Sequence, residues 1–230
     1  ENQSDGIGSR VQRDLSTETD KQGMDVRLRA LRGSRSNEFY RRFGFLSEAE
    51  EEFDIPYLRM AQPGCGIVRF ARPDDIASVV SIYNQAIQEG QRTGDTTPVT
   101  AEDRDVWFAR HDETCHPVWV SEIDGRVAGY LSLSSYRPGR MALRHTVEVS
   151  MYVDSGFRGR GVASCLLRES IRFAREHDFR TLFAIVIDSN MPSIALLEKS
   201  GFEKWGHLPR VLDFDGVELG HLYYGLRVQV

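Results

Sequence analysis

Residues 146–177 read as a strand, a glycine turn and a helix in unbroken order, and that order restricts the possible folds more than any other feature of the chain. The stretch TVEVSMYV, Thr146 to Val153, is rich in β-branched and aromatic residues. Asp154, Ser155 and Gly156 follow as a turn. Beyond Gly161, the apolar residues Val162, Leu166, Leu167, Ile171 and Ala174 recur at helical spacing. Between strand and helix stands RGRGVA, two glycines and an alanine flanked by Arg158 and Arg160. A helix N-terminus carries unpaired N–H groups and a positive dipole end, so small residues there let an anion reach the backbone itself. Diphosphates are the usual guests of such a turn. The alternative reading is a plain helix start in which glycine only makes the turn.

The neighbouring segments fit an α/β chain around this unit. TLFAIVI, 181–187, is a continuous apolar run, as in a strand covered on both faces. Asn190 and Pro192 are helix-start signals, and a short helix is expected over 192–200 before Gly201. Strands are expected at 202–208 and 219–228, with a turn at 213–216. Upstream, a short strand at 66–70 precedes a helix capped by Asp74, with Ile76, Val79, Val80, Tyr83, Ala86 and Ile87 as its apolar face. A polar loop at 89–100, a helix around Trp107, and a hairpin turning at Asp124 and Gly125 complete the order.

Composition narrows the function classes. With 230 residues and 40% hydrophobic content, the chain can build a packed core. A net charge of −5 argues against a general nucleic-acid partner, and no apolar run reaches the length of a membrane span. Cys65, Cys115 and Cys165 are odd in number and lack metal-ligand spacing, so no metal and a reducing, cytoplasmic setting are expected. The chain starts at Glu1 with neither methionine nor a signal-like stretch, so further sequence upstream is expected.

Taken together, the R-x-x-G-x-A turn, the buried strand and the N-x-x-S helix ending in GF resemble the GNAT acetyltransferase superfamily over residues 66–230. Within it, IYNQAI, HTVEVSMYV, RGRGVA and DSNMPSIALLEKSGFEKWGHL resemble the phosphinothricin and methionine sulfoximine acetyltransferase branch. The resemblance implies an α/β (α+β) GNAT fold, a mixed central sheet with two splayed strands, flanked by helices. It implies acetyl-CoA as cofactor, with the pyrophosphate on the N–H groups of Arg158, Gly159, Arg160, Gly161, Val162, Ala163 and Ser164. The pantetheine arm would pair with the strand edge at Met151, Tyr152 and Val153, with Asn190 and Ser193 touching it from the next helix.

Residues 1–60 carry a second, partial pattern. QSDGIGSRVQRDL, the alternating DVRLRAL and SRSNEFYRRFGF follow the same order as the later copy, with Gly6 offset by 155 from Gly161 and Gly44 by 157 from Gly201. The expected organisation is therefore a partial GNAT-like unit at 1–60, a linker at 61–65 and a complete domain at 66–230. Half a domain cannot cover both faces of its sheet, so it must lean on the complete domain or on another chain.

Acetyl transfer to an amine needs a base for the ammonium proton and a donor for the developing oxyanion. Glu148, mid-strand in VEVS, occupies the position where the resembling family carries its proposed base; His145 is a second candidate. The oxyanion donor would be an N–H near Tyr152 or Val153. A tyrosine acid common in the family's last helix is replaced here by Leu196 and Leu197, whereas the N-terminal unit has Tyr40. Arg137 and Arg140, with Tyr136, are candidates to hold a substrate carboxylate. Trp107 and Tyr83 read as core or as pocket walls. Three classes of function follow: a small-molecule N-acetyltransferase acting on an amino-acid-like amine, a protein or peptide acetyltransferase, and a CoA-binding pseudoenzyme or sensor. A homodimer is expected.

Overall fold

Strand β7, Thr146–Val153, is the element on which the architecture turns. The computed structural model describes residues 26–31, 46–47, 54–59 and 64–228. Three strands precede the main sheet: β1 at Val26–Leu31, β2 at Leu46–Ser47 and β3 at Asp54–Arg59. They form an antiparallel sheet in the order β1-β3-β2. The turn, the helices and Tyr40 expected in the partial unit lie outside the described residues.

The main sheet runs β4-β5-β6-β7-β8-β10-β9, with β4 at Ile67–Phe70, β5 at Val118–Ile123, β6 at Arg126–Ser135, β8 at Thr181–Ile187, β9 at Glu203–Phe214 and β10 at Val217–Arg227. All neighbours are antiparallel except β7 and β8. That parallel pair requires a crossover, supplied by helix α3, Val162–Glu176. Alternation along β6 and β7 sorts side chains to two layers. Leu131, Leu133, Val147 and Val149 pack with Leu166, Leu167 and Phe173 of α3 and with Ile194 and Leu197 of α4, Met191–Lys199. Tyr130 and Tyr152 face the other way, against Val79, Ile82 and Tyr83 of α1, Ile76–Glu89. Helix α2, Ala101–Phe108, covers the same face through Trp107. Among the described residues, no helix is long and apolar enough to cross a membrane.

Three details differ from the sequence expectation. The helix cap expected at Asp74 falls on Asp75, whose buried carboxylate takes the Arg72 N–H and the Arg69 guanidinium. Strand β9 continues through Pro209 to Phe214 rather than stopping near 208. An edge strand tolerates a residue without an N–H, which is why proline did not end it. Finally, Cys65 and Cys165 form a disulfide, leaving Cys115 exposed and free. Cysteine count and spacing pointed to a reducing setting and gave no sign of this pair, because its partners are 100 residues apart.

Candidate active site

Where β7 and β8 separate, the chain opens. Their pairing covers only Thr146, Val147 and Glu148 against Thr181, Leu182 and Phe183, so the β7 edge beyond Glu148 has no strand beside it. A cleft of about 460 Å³ fills this gap, lined by Met151, Tyr152 and Val153 on one side and Asn190, Ser193 and Leu196 on the other. Its end wall is the glycine turn. Gly159 and Gly161 have φ of 75° and 84°, a region that disfavours side chains, and a Cβ on either would meet nothing within 4 Å. Helical bonding starts with Cys165 N–H donating to Gly161 O, so the N–H groups of Val162, Ala163 and Ser164 come before the first helical bond. An open, left-handed turn, a helix N-terminus and a free strand edge fit a long ligand that is anionic at one end and amide-bearing in the middle, as a CoA thioester is.

Neighbouring side chains hold this backbone in shape. Asp154 accepts from Gly156 N–H and from Gln85 Nε2 at 2.8 Å, while Gln85 Oε1 accepts from Ser155 N–H. Arg158 pairs through both terminal nitrogens with Glu89, at 2.9 and 2.8 Å. Arg92 reaches across the splay to donate to Asn190 Oδ1 at 3.2 Å. Asn190 caps α4 by accepting from Ser193 N–H. Sequence reading missed Gln85 and Arg92. Gln85 sits inside the quoted IYNQAI stretch, whereas nothing in the polar loop set Arg92 apart.

On the opposite face of β6 and β7 lies a second cavity of about 360 Å³. Cross-strand pairing stacks Tyr130 beside Tyr152, Ser132 beside Ser150 and Ser134 beside Glu148, all on this face. Tyr83, Asp95, Arg104 and Trp107 close it from α1, the following loop and α2. Tyr83 donates to Asp95 at 2.6 Å, and Asn84 pins the loop through both backbone groups of Val99. His111 accepts from the Ser134 hydroxyl through Nε2, since Nδ1 donates to the Trp107 carbonyl. Burial lowers the His111 pKa, in keeping with a neutral ring, and raises that of the Glu148 carboxyl. Tyr152 lines both cavities, so the two meet at this residue.

Of the cofactor residues expected from sequence, every one lines the cleft except Arg160. Its guanidinium lies over the Phe157 ring, 5.2 Å from the ring centre, which leaves the expected role of its backbone N–H unaffected. His145 is corrected. Its Nδ1 lies 2.6 Å from the Asp178 carbonyl and 3.2 Å from its carboxylate, which turns the ring toward the α3–β8 connection and away from both cavities. Arg137 and Arg140 are exposed on the loop after β6, with Arg137 over the Tyr136 ring, and Tyr136 packs on Phe183; none of the three lines either of these two cavities. Trp107 and Tyr83 are both core and pocket wall.

Residues 79–202 match the Acetyltransferase (GNAT) family. YwnH of Bacillus subtilis, assigned as a phosphinothricin acetyltransferase, is 43% identical over 150 residues, covering 65% of this chain and 91% of that protein. The L-methionine sulfoximine/L-methionine sulfone acetyltransferase of Pseudomonas aeruginosa is 34% identical over 145 residues, covering 63% and 84%. Among solved structures, a phosphinothricin acetyltransferase from Sinorhizobium meliloti in complex with acetyl-CoA superposes with a TM-score of 0.67 at 28% identity, covering 70% of this chain and 86% of that one.

Proposed function

The chain belongs to the GNAT acetyltransferase family, and from that premise we propose that it transfers an acetyl group from acetyl-CoA to the amine of a small amino-acid-like substrate. The observation that carries this reading is the parting of β7 from β8 directly after Glu148, with one cavity on each side of Tyr152. The cofactor belongs in the glycine-lined cleft, and the acceptor in the aromatic cavity. A space of about 360 Å³ closed by α1 and α2 suits a small molecule better than a peptide strand.

Bound acetyl-CoA supplies the thioester whose acyl group the amine takes. The chain's own residues do the rest. The N–H groups of the first α3 turn hold the diphosphate, and the free β7 edge at Met151 to Val153 orients the arm. An amine reacts only as the neutral species, so its proton must leave. We read Glu148 as the base: it pairs with Ser134, which lines the acceptor cavity, and its raised pKa makes it a stronger base than an exposed carboxylate. Leu196 stands in the cleft where a tyrosine acid would sit, so the leaving thiolate, of modest basicity, departs without one.

Three further readings stand beside it. The strand order β1-β3-β2 repeats that of β8-β10-β9, which supports residues 1–60 as a partial copy of the later half-domain. Exposed Trp205, Leu208 and Val211 on the edge strand β9 support a homodimer through that edge, a state that light scattering measures. A reducing cytoplasm would keep Cys65 and Cys165 as thiols, and mass after thiol alkylation reports which form the cell holds.

Steady-state assays with acetyl-CoA against L-amino acids, polyamines and peptides test the main proposal. Turnover of amino acids is expected. Turnover of peptides alone would replace it with the peptide reading, and acetyl-CoA binding without turnover would make the chain a sensor.

A further inference from the structure

Two buried polar groups in the acceptor cavity lack partners. Arg104 is only 9% exposed, and its Nε has no hydrogen-bond partner. The guanidinium carbon lies over two rings, 3.9 Å from the Tyr83 centroid and 4.9 Å from that of Trp107. Among the described residues no carboxylate comes within ion-pair distance of it. Two acids line the same cavity, but Asp95 accepts from the Tyr83 hydroxyl and Asp103 closes the α2 capping box with Thr100. Tyr130 is 1% exposed and its hydroxyl is also without a partner.

Buried polar groups are nearly always satisfied, and a buried charge left alone is costly. Ring stacking stabilises an arginine and fixes the plane of its fork, yet leaves the in-plane N–H groups available. A fork held against aromatic rings is preorganised for a planar or tetrahedral oxyanion, which it binds in a way a lysine cannot.

We propose that Arg104, with the Tyr130 hydroxyl in the same cavity, is the acid-recognition end of the acceptor site. The acceptor therefore carries a compact oxyanion, a carboxylate or a phosphinate, on the molecule that presents its amine to Glu148. This rests on the reading of the cavity as the acceptor site. It also moves the acid contact from the exposed Arg137 and Arg140 to a group that water screens less.

The test is steady-state kinetics at saturating acetyl-CoA on the wild type, R104K and R104M with three acceptors. L-methionine sulfone offers only an α-carboxylate, phosphinothricin α-carboxamide only a phosphinate, and L-methionine sulfone α-carboxamide neither. The wild type should prefer an acid over the neutral amide. R104M should raise KM for that acid by about 10- to 100-fold, the scale of a lost charged hydrogen bond, with a smaller change in kcat. The preference should vanish in R104M and be partly kept by R104K, while calorimetric acetyl-CoA affinity stays as in the wild type. Which acid loses its advantage identifies the oxyanion that Arg104 holds. An equal loss on acid and amide by a folded R104M would reduce Arg104 to a prop for the ring stack and overturn the proposal. If neither Arg104 variant folds, Y130F carries the comparison: a several-fold loss of acid preference supports the proposal, and an unchanged preference overturns it. If the wild type binds acetyl-CoA but acetylates none of the three, the acetyltransferase reading fails instead. Direct calorimetry of L-methionine sulfone then decides the present inference, through binding lost in R104M or retained by it.

Discussion

The two cavities on either side of Tyr152 are built from different parts of the chain. The cofactor cleft is mostly backbone: left-handed Gly159 and Gly161, the first N–H groups of α3 and the unpaired edge of β7. The acceptor cavity is side chain: Tyr83, Arg104, Trp107, Tyr130 and a row of serines. Backbone recognition requires a particular conformation and small residues, so one short motif specifies it. Side-chain recognition can be rewritten one residue at a time while the sheet and helices stay in place. A family of this kind can therefore keep its cofactor and change its acceptor.

Perturbing each half tests that division. The largest effect is expected at the boundary: E148Q should lower kcat by roughly 10²- to 10⁴-fold with acetyl-CoA affinity unchanged, as measured by stopped-time assay and calorimetry. The active form is the carboxylate, and burial raises its pKa. Wild-type kcat should therefore fall as pH drops through that raised value, a limb absent from the E148Q profile. Next, C65S removes a link whose partner, Cys165, lies in the first turn of α3. Opening a loop of 100 residues should cost roughly 5 kcal/mol of stability in the chain-entropy picture, read as a lower melting temperature. Acetyl-CoA affinity should suffer more than acceptor KM, because the link staples only the cofactor side.

G161V puts a branched side chain at φ 84° into the space where the phosphate and backbone meet. Acetyl-CoA affinity should drop by about 100-fold from lost charged hydrogen bonds. Wild-type affinity in a folded G161V protein would break the division between the two sites. The smallest change is expected from deleting residues 1–62, which keeps Cys65 and every cofactor residue; affinity should stay within about threefold. Total loss of acetyl-CoA binding would show that the N-terminal unit completes the site.

The same division explains what could be read in the sequence. TVEVSMYV, RGRGVA and TLFAIVI announce strand, turn, helix and buried strand because period and glycine placement are local properties. Glu148 was legible through its position in VEVS. Arg104 was not, because a charged residue is rarely the buried face of a helix. In AEDRDVWF the apolar Val106 is 59% exposed while Arg104 points inward, the reverse of ordinary patterning. The one available signal was the i, i+3 spacing of Arg104 and Trp107, which places both on one helix face. His145 was misplaced for a related reason. Its spacing suited the site, but the Asp178 carbonyl captured its ring. The disulfide was invisible because only the folded chain brings Cys65 and Cys165 together.

The central claim is that the chain joins a backbone-built cofactor cleft to a side-chain-built acceptor cavity at Glu148. A crystal structure of the full chain with acetyl-CoA and L-methionine sulfone, trapped in E148Q, tests it most directly. The diphosphate is expected on the N–H groups of residues 159–164, the arm along Met151 to Val153, and the acceptor amine within hydrogen-bond distance of residue 148 with its carboxylate toward Arg104. An acyl group emerging elsewhere than between β7 and β8, or an acceptor bound outside the Tyr83–Arg104–Trp107 wall, would contradict it.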